Sequence, residues 1–168
     1  IFLPILNTPP ITAPAPTNGA AATTVKVIDV NLTEEEYAFG VDKDQPELLE
    51  AVNKFIDKIM ADGTFDEICN KYFGDGTPTH VKSAAEDPTK DQLVVATNAA
   101  FAPFEYMEGD SFKGVDVELA SKLATAMGKN LFVYDMKFDS IISSVQTGES
   151  DIGMAGMTVN EKRMQLVN

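Results

Sequence analysis

Leu93-Val94-Val95-Ala96-Thr97 and Asp151-Ile152-Gly153-Met154-Ala155 bracket the stretch that decides the fold. The first is a short apolar run bounded by polar chain, the kind of strand that is buried on both faces of a parallel sheet. Asp116 follows as a cap for a helix carrying Val117, Leu119, Ala120, Leu123 and Met127 at helical spacing, closed by Gly128. Leu131-Phe132-Val133-Tyr134 reads as the next strand. Asp139 caps a second helix with Ile141, Ile142 and Val145, which ends at Gly148. Residues 151–155 are a third strand, and Thr158-Val159-Asn160-Glu161 fits a capping box that opens another helix. Strand and helix alternate with short connections, which requires right-handed crossovers. The reading is α/β, with an open, mostly parallel sheet flanked by helices.

Upstream of this unit, Val25–Val30 and Tyr37–Val41 read as strands. Pro46 sits at a first helical position, and Leu48, Leu49, Val52, Phe55, Ile56, Ile59 and Met60 follow at helical spacing until Gly63. Thr64-Phe65-Asp66-Glu67 fits a second capping box, opening a short helix with Phe65, Ile68, Cys69, Tyr72 and Phe73 on one face. Residues 74–90 are polar, with Gly76, Pro78 and Pro88, and read as a linker. Residues 1–24 hold Pro4, Pro9, Pro10, Pro14 and Pro16 among Ala and Thr, which favours extended, solvated chain: a linker, a pro-segment or a cloning remnant. They lack the basic start of a signal peptide, and the chain begins as if cut from something longer.

Composition narrows the function. The 168 residues carry 13 Lys and Arg against 26 Asp and Glu, a net charge of −13 that repels phosphate backbones and disfavours nucleic acid. A single Cys excludes an intrachain disulfide, and a single Cys with a single His excludes a multi-thiolate zinc site. No apolar run reaches membrane-spanning length. Phosphate-loop, nucleophile-elbow, zincin and calcium-loop patterns are all missing, so no catalytic residue, cofactor or metal is assigned. Cys69 and His80 are the one nucleophile–base combination to weigh; Cys69 falls on an apolar stripe and His80 in the polar linker, so the pair reads as structural.

One constellation remains. Phe101, Phe104 and Tyr106 follow the strand at 93–97, Phe138 follows the strand at 131–134, and Gly156, Met157 and Thr158 follow the strand at 151–155, with Arg163 just beyond. Ligands of open α/β sheets bind outside the carboxyl ends of the strands, where all of these residues fall. The Arg163 fork suits a carboxylate, and the rings offer apolar or cation–π walls. Together they suit a small zwitterion.

At these residues the chain resembles a known family. Residues 93–106 (Leu-Val-Val-Ala-Thr-Asn-Ala-Ala-Phe-Ala-Pro-Phe-Glu-Tyr), 114–120 (Gly-Val-Asp-Val-Glu-Leu-Ala), 136–142 (Met-Lys-Phe-Asp-Ser-Ile-Ile) and 151–163 (Asp-Ile-Gly-Met-Ala-Gly-Met-Thr-Val-Asn-Glu-Lys-Arg) are similar to the polar amino-acid-binding proteins of ABC importers, related to glutamine- and lysine/arginine/ornithine-binding proteins. Residues 32–41, 46–54 and 61–73 resemble the C-terminal end of the same family. The order is therefore rotated. The resemblance implies one lobe of a type II periplasmic-binding-protein fold, lobe 1, circularly permuted: an extension at 1–24, then one lobe over 25–168 built from 25–73, the linker 74–90 and 91–168.

The resemblance places Asn98, Phe101, Phe138, Gly156, Met157, Thr158 and Arg163 on the ligand side. Arg163 would hold the α-carboxylate with Thr158 and nearby amides, and Phe101 and Phe138 would sandwich the side chain. Asn98 stands where some relatives have an acidic residue. The implied function is binding of a small polar amino acid for ABC-transporter uptake with half of the ligand clamp, not catalysis. A sensory or receptor input domain of the same fold is the alternative. The partners implied are the amino acid, a membrane permease for the full-length parent, and a second lobe supplied by another chain; the place is extracytoplasmic, periplasmic or on a cell-surface lipoprotein.

Overall fold

In a computed structural model, residues 36–168 are described. The expected extension at 1–24 and strand at 25–30 lie outside these residues. Strands β1 (Gly40–Val41), β2 (Gln92–Thr97), β6 (Asn130–Asp135) and β7 (Ile152–Gly153) form a sheet in the order β1-β7-β2-β6. β6 and β7 both run parallel to β2, and β1 runs antiparallel to β7. The parallel majority follows from the crossovers: helix α3 (Val115–Ala126) connects β2 to β6, and α4 (Ile141–Gln146) connects β6 to β7.

Both sequence stretches feed one core. Helices α1 (Pro46–Ala61) and α2 (Thr64–Phe73) bring Val52, Phe55, Ile56, Ile59, Phe65 and Ile68 into the same buried cluster as Leu93, Val95, Leu119, Leu123, Leu131 and Ile152. The stripe on α1 is too apolar to remain in water, and it packs against α2 and α3 in that cluster.

Residues 100–113 hold strands that the sequence pattern did not announce. They form a three-stranded antiparallel sheet, β3 (Ala100–Phe101), β4 (Glu105–Glu108) and β5 (Ser111–Lys113). The strands are too short for their alternation to show, and a two-residue turn at Gly109-Asp110, with Gly109 at φ +64°, joins the last two.

The expected caps shift as well. Thr64 lies inside α2, whose N-cap is Gly63 at φ +79°; Asp62 Oδ1, not a Thr side chain, accepts the Thr64 amide at 3.0 Å. Gly114 caps α3 and leaves Asp116 buried in its first turn. A 3₁₀ turn over Phe138–Ser140 precedes α4, so Asp139 caps nothing. In the last helix, α5 (Glu161–Leu166), Asn160 is the cap and accepts the Arg163 amide at 2.9 Å, while Thr158 bridges antiparallel to Tyr37. In each case a polar residue of cap type stands within two positions of the true end, and tertiary contact decides which one serves.

Residues 74–91 hold no helix or named strand, as their composition suggests, yet they are stitched to the fold. Val81 is buried and exchanges backbone bonds with Phe112 at 2.8 and 2.9 Å. The Ala84 amide donates to the Leu131 carbonyl at 2.8 Å, and Ser83 Oγ accepts the Val133 amide at 2.8 Å. These bonds occupy the outer edge of β6, which would otherwise be open to another chain.

At the opposite edge, Val41 exchanges both backbone bonds with Asn168, at 3.1 and 2.8 Å. The Val159 amide donates to the Glu36 carbonyl at 3.0 Å, and the Ala38 amide to Met157 at 3.0 Å. Residues 36–41 thus run beside both 152–159 and the end of the chain.

Candidate functional site

The parallel strands β2, β6 and β7 end at Thr97, Asp135 and Gly153, and the residues that follow each one gather on a single edge. After β2, Asn98 is tied down: its Nδ2 donates to the Met136 carbonyl at 2.8 Å, and the Ala99 amide donates to Asp135 Oδ1 at 2.9 Å. These bonds lock the exits of β2 and β6 together. After β6 comes Phe138, 36% exposed. After β7 the chain turns at Gly156, φ +50°, and returns through Met157 and Thr158 toward α5.

Arg163 is where the edge acquires charge. Its position in α5 carries the guanidinium over the Phe138 ring, 5.2 Å from the centroid, and Nη1 donates to the Thr158 carbonyl at 2.6 Å. The side chain is therefore oriented before any ligand arrives. One donor of the five-donor fork is engaged by Thr158, which leaves the geometry of bidentate carboxylate capture to the others. A depression of about 330 Å³ opens beside it, lined by Phe138, Ile142, Ser143, Asn160 and Lys162 among others. A volume of this size accommodates a small molecule.

The remaining candidates divide. Phe101, 45% exposed, stacks on Phe104 with centroids 5.4 Å apart. Its ring lies so close to Gly156 that a Cβ there would stand 3.0 Å from Cε1, so glycine is what permits the approach. Met157 is 5% exposed, and its methyl packs over Gly40 and Gly153. Its side chain belongs to a small cluster with Ala96, Ile141 and Ala155, so its main chain is what it presents to the edge. Thr158 gives its carbonyl to Arg163 and its strand pairing to Tyr37. The structure thus joins Arg163, Phe138 and Thr158 directly, sets Phe101 on Gly156, and turns the Met157 side chain inward.

Sequence reasoning missed two residues of this edge. Asp116, read as a helix cap, accepts the Gly156 amide through Oδ2 at 2.8 Å. Glu105 is 1% exposed beneath the same turn, its Oε1 3.9 Å from where a Gly156 Cβ would stand. Burial pushes both carboxyls above the usual range, Glu105 the further, with the neighbouring Asp116 charge adding to it. The available signal was Asp116 itself, an acid in the first turn of a helix whose neighbours Val115, Val117, Leu119 and Ala120 are all buried.

Cys69 and His80 do not meet as a pair. Cys69 is buried and burial pushes its thiol up to about 12, while His80 Nδ1 lies 3.0 Å from Ser111 Oγ. Among the described residues no group of His, Cys, Asp and Glu is placed to hold a metal, and no helix is long and apolar enough to cross a membrane.

The family model for bacterial extracellular solute-binding proteins, family 3, matches residues 6–75 and 93–168. The chain is 37% identical over 86 residues to the arginine-binding extracellular protein ArtP of Bacillus subtilis (strain 168), covering 51% of this chain and 34% of that protein. It is 31% identical over 74 residues to the cyclohexadienyl dehydratase of Pseudomonas aeruginosa, covering 44% of this chain and 28% of that one. The crystal structure of the arginine-bound form of domain 1 from TmArgBP is similar at 37% identity and a TM-score of 0.44, over 45% of this chain and 60% of that chain. The chain spans about a third of the length of the curated relatives it matches.

Proposed function

The chain belongs to the bacterial extracellular solute-binding proteins, family 3, and from that premise we propose that its strand-end edge binds a small polar amino acid, of the cationic class, for delivery to an ABC importer outside the cytoplasm. The carrying observation is the guanidinium of Arg163, held over Phe138 at 5.2 Å beside an open depression. Arg163 takes the α-carboxylate. The exposed Phe138 and Phe101 rings receive the side chain, and a flat cationic group stacks well on such faces. The arginine named for the similar Bacillus subtilis protein is the first ligand to try.

The two family-matched stretches are read as the end and the beginning of the family pattern, joined in rotated order into one lobe 1. Their sharing of a single core supports that reading. A second lobe, from another chain or from sequence outside this one, closes the clamp and supplies a partner for the ligand ammonium. Hinge closure of the two lobes is then the binding step, and a permease receives the closed form.

We read the activity as binding and not catalysis. The similar Pseudomonas protein named a dehydratase makes this worth testing. A sensory domain of the same fold would use the same edge. Titration with L-arginine, L-lysine, L-histidine and L-glutamine, followed by amide NMR, is the test. Shifts confined to residues 98–101, 136–139 and 156–163 support the reading, and shifts elsewhere, or none with ligand raised to about 0.1 M, well above a millimolar Kd, refute it.

A further inference from the structure

Beneath the Gly156 turn lie two carboxyl groups that no ion pair among the described residues reaches. Glu105 comes from β4 and Asp116 from the first turn of α3, and they are 1% and 5% exposed. Asp116 Oδ2 holds the Gly156 amide at 2.8 Å, whereas Glu105 Oε2 has no hydrogen-bond partner among the described residues. A buried charge without a partner is far costlier than a neutral acid, and two dry carboxylates side by side do not both ionise. The amide bond favours the anion on Asp116, so the shared proton resides on Glu105. Few other titratable groups face the pair. Cys69 of α2 faces Asp116 with a thiol that stays neutral. Lys113 of β5 stands opposite Tyr106 in register, on the other face from Glu105, and is paired with Glu108. The β3 neighbour opposite Glu105 is Phe101, and the 154–156 turn carries no titratable side chain.

We propose that Glu105 is a positioning residue for the ligand edge: as the neutral acid it lets Asp116 remain the anion that grips the Gly156 amide and sets the turn presenting Met157 and Thr158. The proposal rests on the reading that this edge binds an amino acid, but the turn itself can be tested with no ligand present. When Glu105 loses its proton, a second, unpartnered negative charge appears against Asp116. The repulsion is relieved by opening the turn, which moves the Gly156 amide and the Phe101 ring lying on it.

The experiment is NMR on the full chain, reading side-chain carboxyl ¹³C and backbone amide shifts from about pH 7.5 to about pH 10, a window above both the ordinary Glu range and the Asp116 transition at about 6. The Glu105 carboxyl is expected to titrate well above that range, with the Gly156 amide moving at the same midpoint. In Glu105→Gln the Gly156 amide keeps its low-pH position throughout. A Glu105 carboxyl titrating in the ordinary range, or a Gly156 amide that does not follow it, overturns the proposal; the wild-type titration decides this even where the variant fails to fold. L-Arginine affinity is expected to weaken about tenfold through the same midpoint in wild type, the effect of one unit of proton linkage, and to stay level in Glu105→Gln. Arginine binding that ignores pH overturns the positioning role. No arginine binding at any pH, with the Gly156 transition intact, refutes the amino-acid reading and upholds the placement of the turn.

Discussion

Gly114 shows how one residue fixes the edge from a distance. Its φ is +129°, and a Cβ there would stand 2.1 Å from the Phe104 carbonyl oxygen. Gly114→Ala is expected to destabilise by about 3 kcal/mol or more, because backbone strain and a backbone clash add; urea denaturation measures it. Arg163→Lys keeps the charge but loses the planar fork, so ligand-induced shifts at residues 156–163 should largely vanish at unchanged stability. The buried acids add a pH dependence. Both folded values are raised, so their stabilisation is fully present below the unfolded carboxyl range and is lost as pH rises. Between about pH 6 and about pH 8, wild type should therefore lose stability relative to Glu105→Gln, at up to about 1.4 kcal/mol per pH unit; guanidine midpoints at the two pH values check the sign. Arg163 and Phe138 were legible as neighbours because each follows a strand end. Asp116 was not, since an acid ahead of an apolar helix looks like a cap until the Gly156 amide is seen to reach it.

Among the elements, α1 is the clearest case of pattern becoming packing. Its stripe predicted the helix within a residue of its observed end, and Phe55 and Ile56 lie 7% and 3% exposed in the shared buried cluster. Phe55→Ala is expected to cost about 3–5 kcal/mol, and a loss below about 1 kcal/mol in chemical denaturation would mean that the two stretches do not share a core. Helices and long strands were legible because their periodicity extends over many residues. The β3–β5 sheet was not, because two to four residues per strand hold too little alternation to distinguish from loop. The edge cover at residues 81–84 escaped for a related reason. Its bonds are mostly main-chain, and main-chain partners leave almost no mark on composition.

For the whole molecule, the shared core outweighs the connection between its parts. A protease cut within residues 85–90, beyond the Val81 and Ser83 contacts, should leave the two pieces associated on a native sizing column. Separation without denaturant would refute the single core. On the amino-acid reading proposed above, the open edge limits the affinity. With one wall of the site in water, an exposed ion pair contributes about 0–1 kcal/mol, so the isolated chain should bind arginine no tighter than about millimolar. Micromolar binding by a monomer in calorimetry would show that this edge suffices, and micromolar binding only in a dimer would identify a second chain as the missing wall.

The exchange of bonds between Val41 and Asn168, continued by Glu36 with Val159, also has a mechanical meaning. Residues 36–41, bonded in this way to residues 157–159 on one side and to Asn168 on the other, behave as the middle of a ribbon. A load that peels the segments apart meets one bond at a time, whereas a load along their length meets all of them together. The edge is therefore compliant to swinging and stiff to sliding.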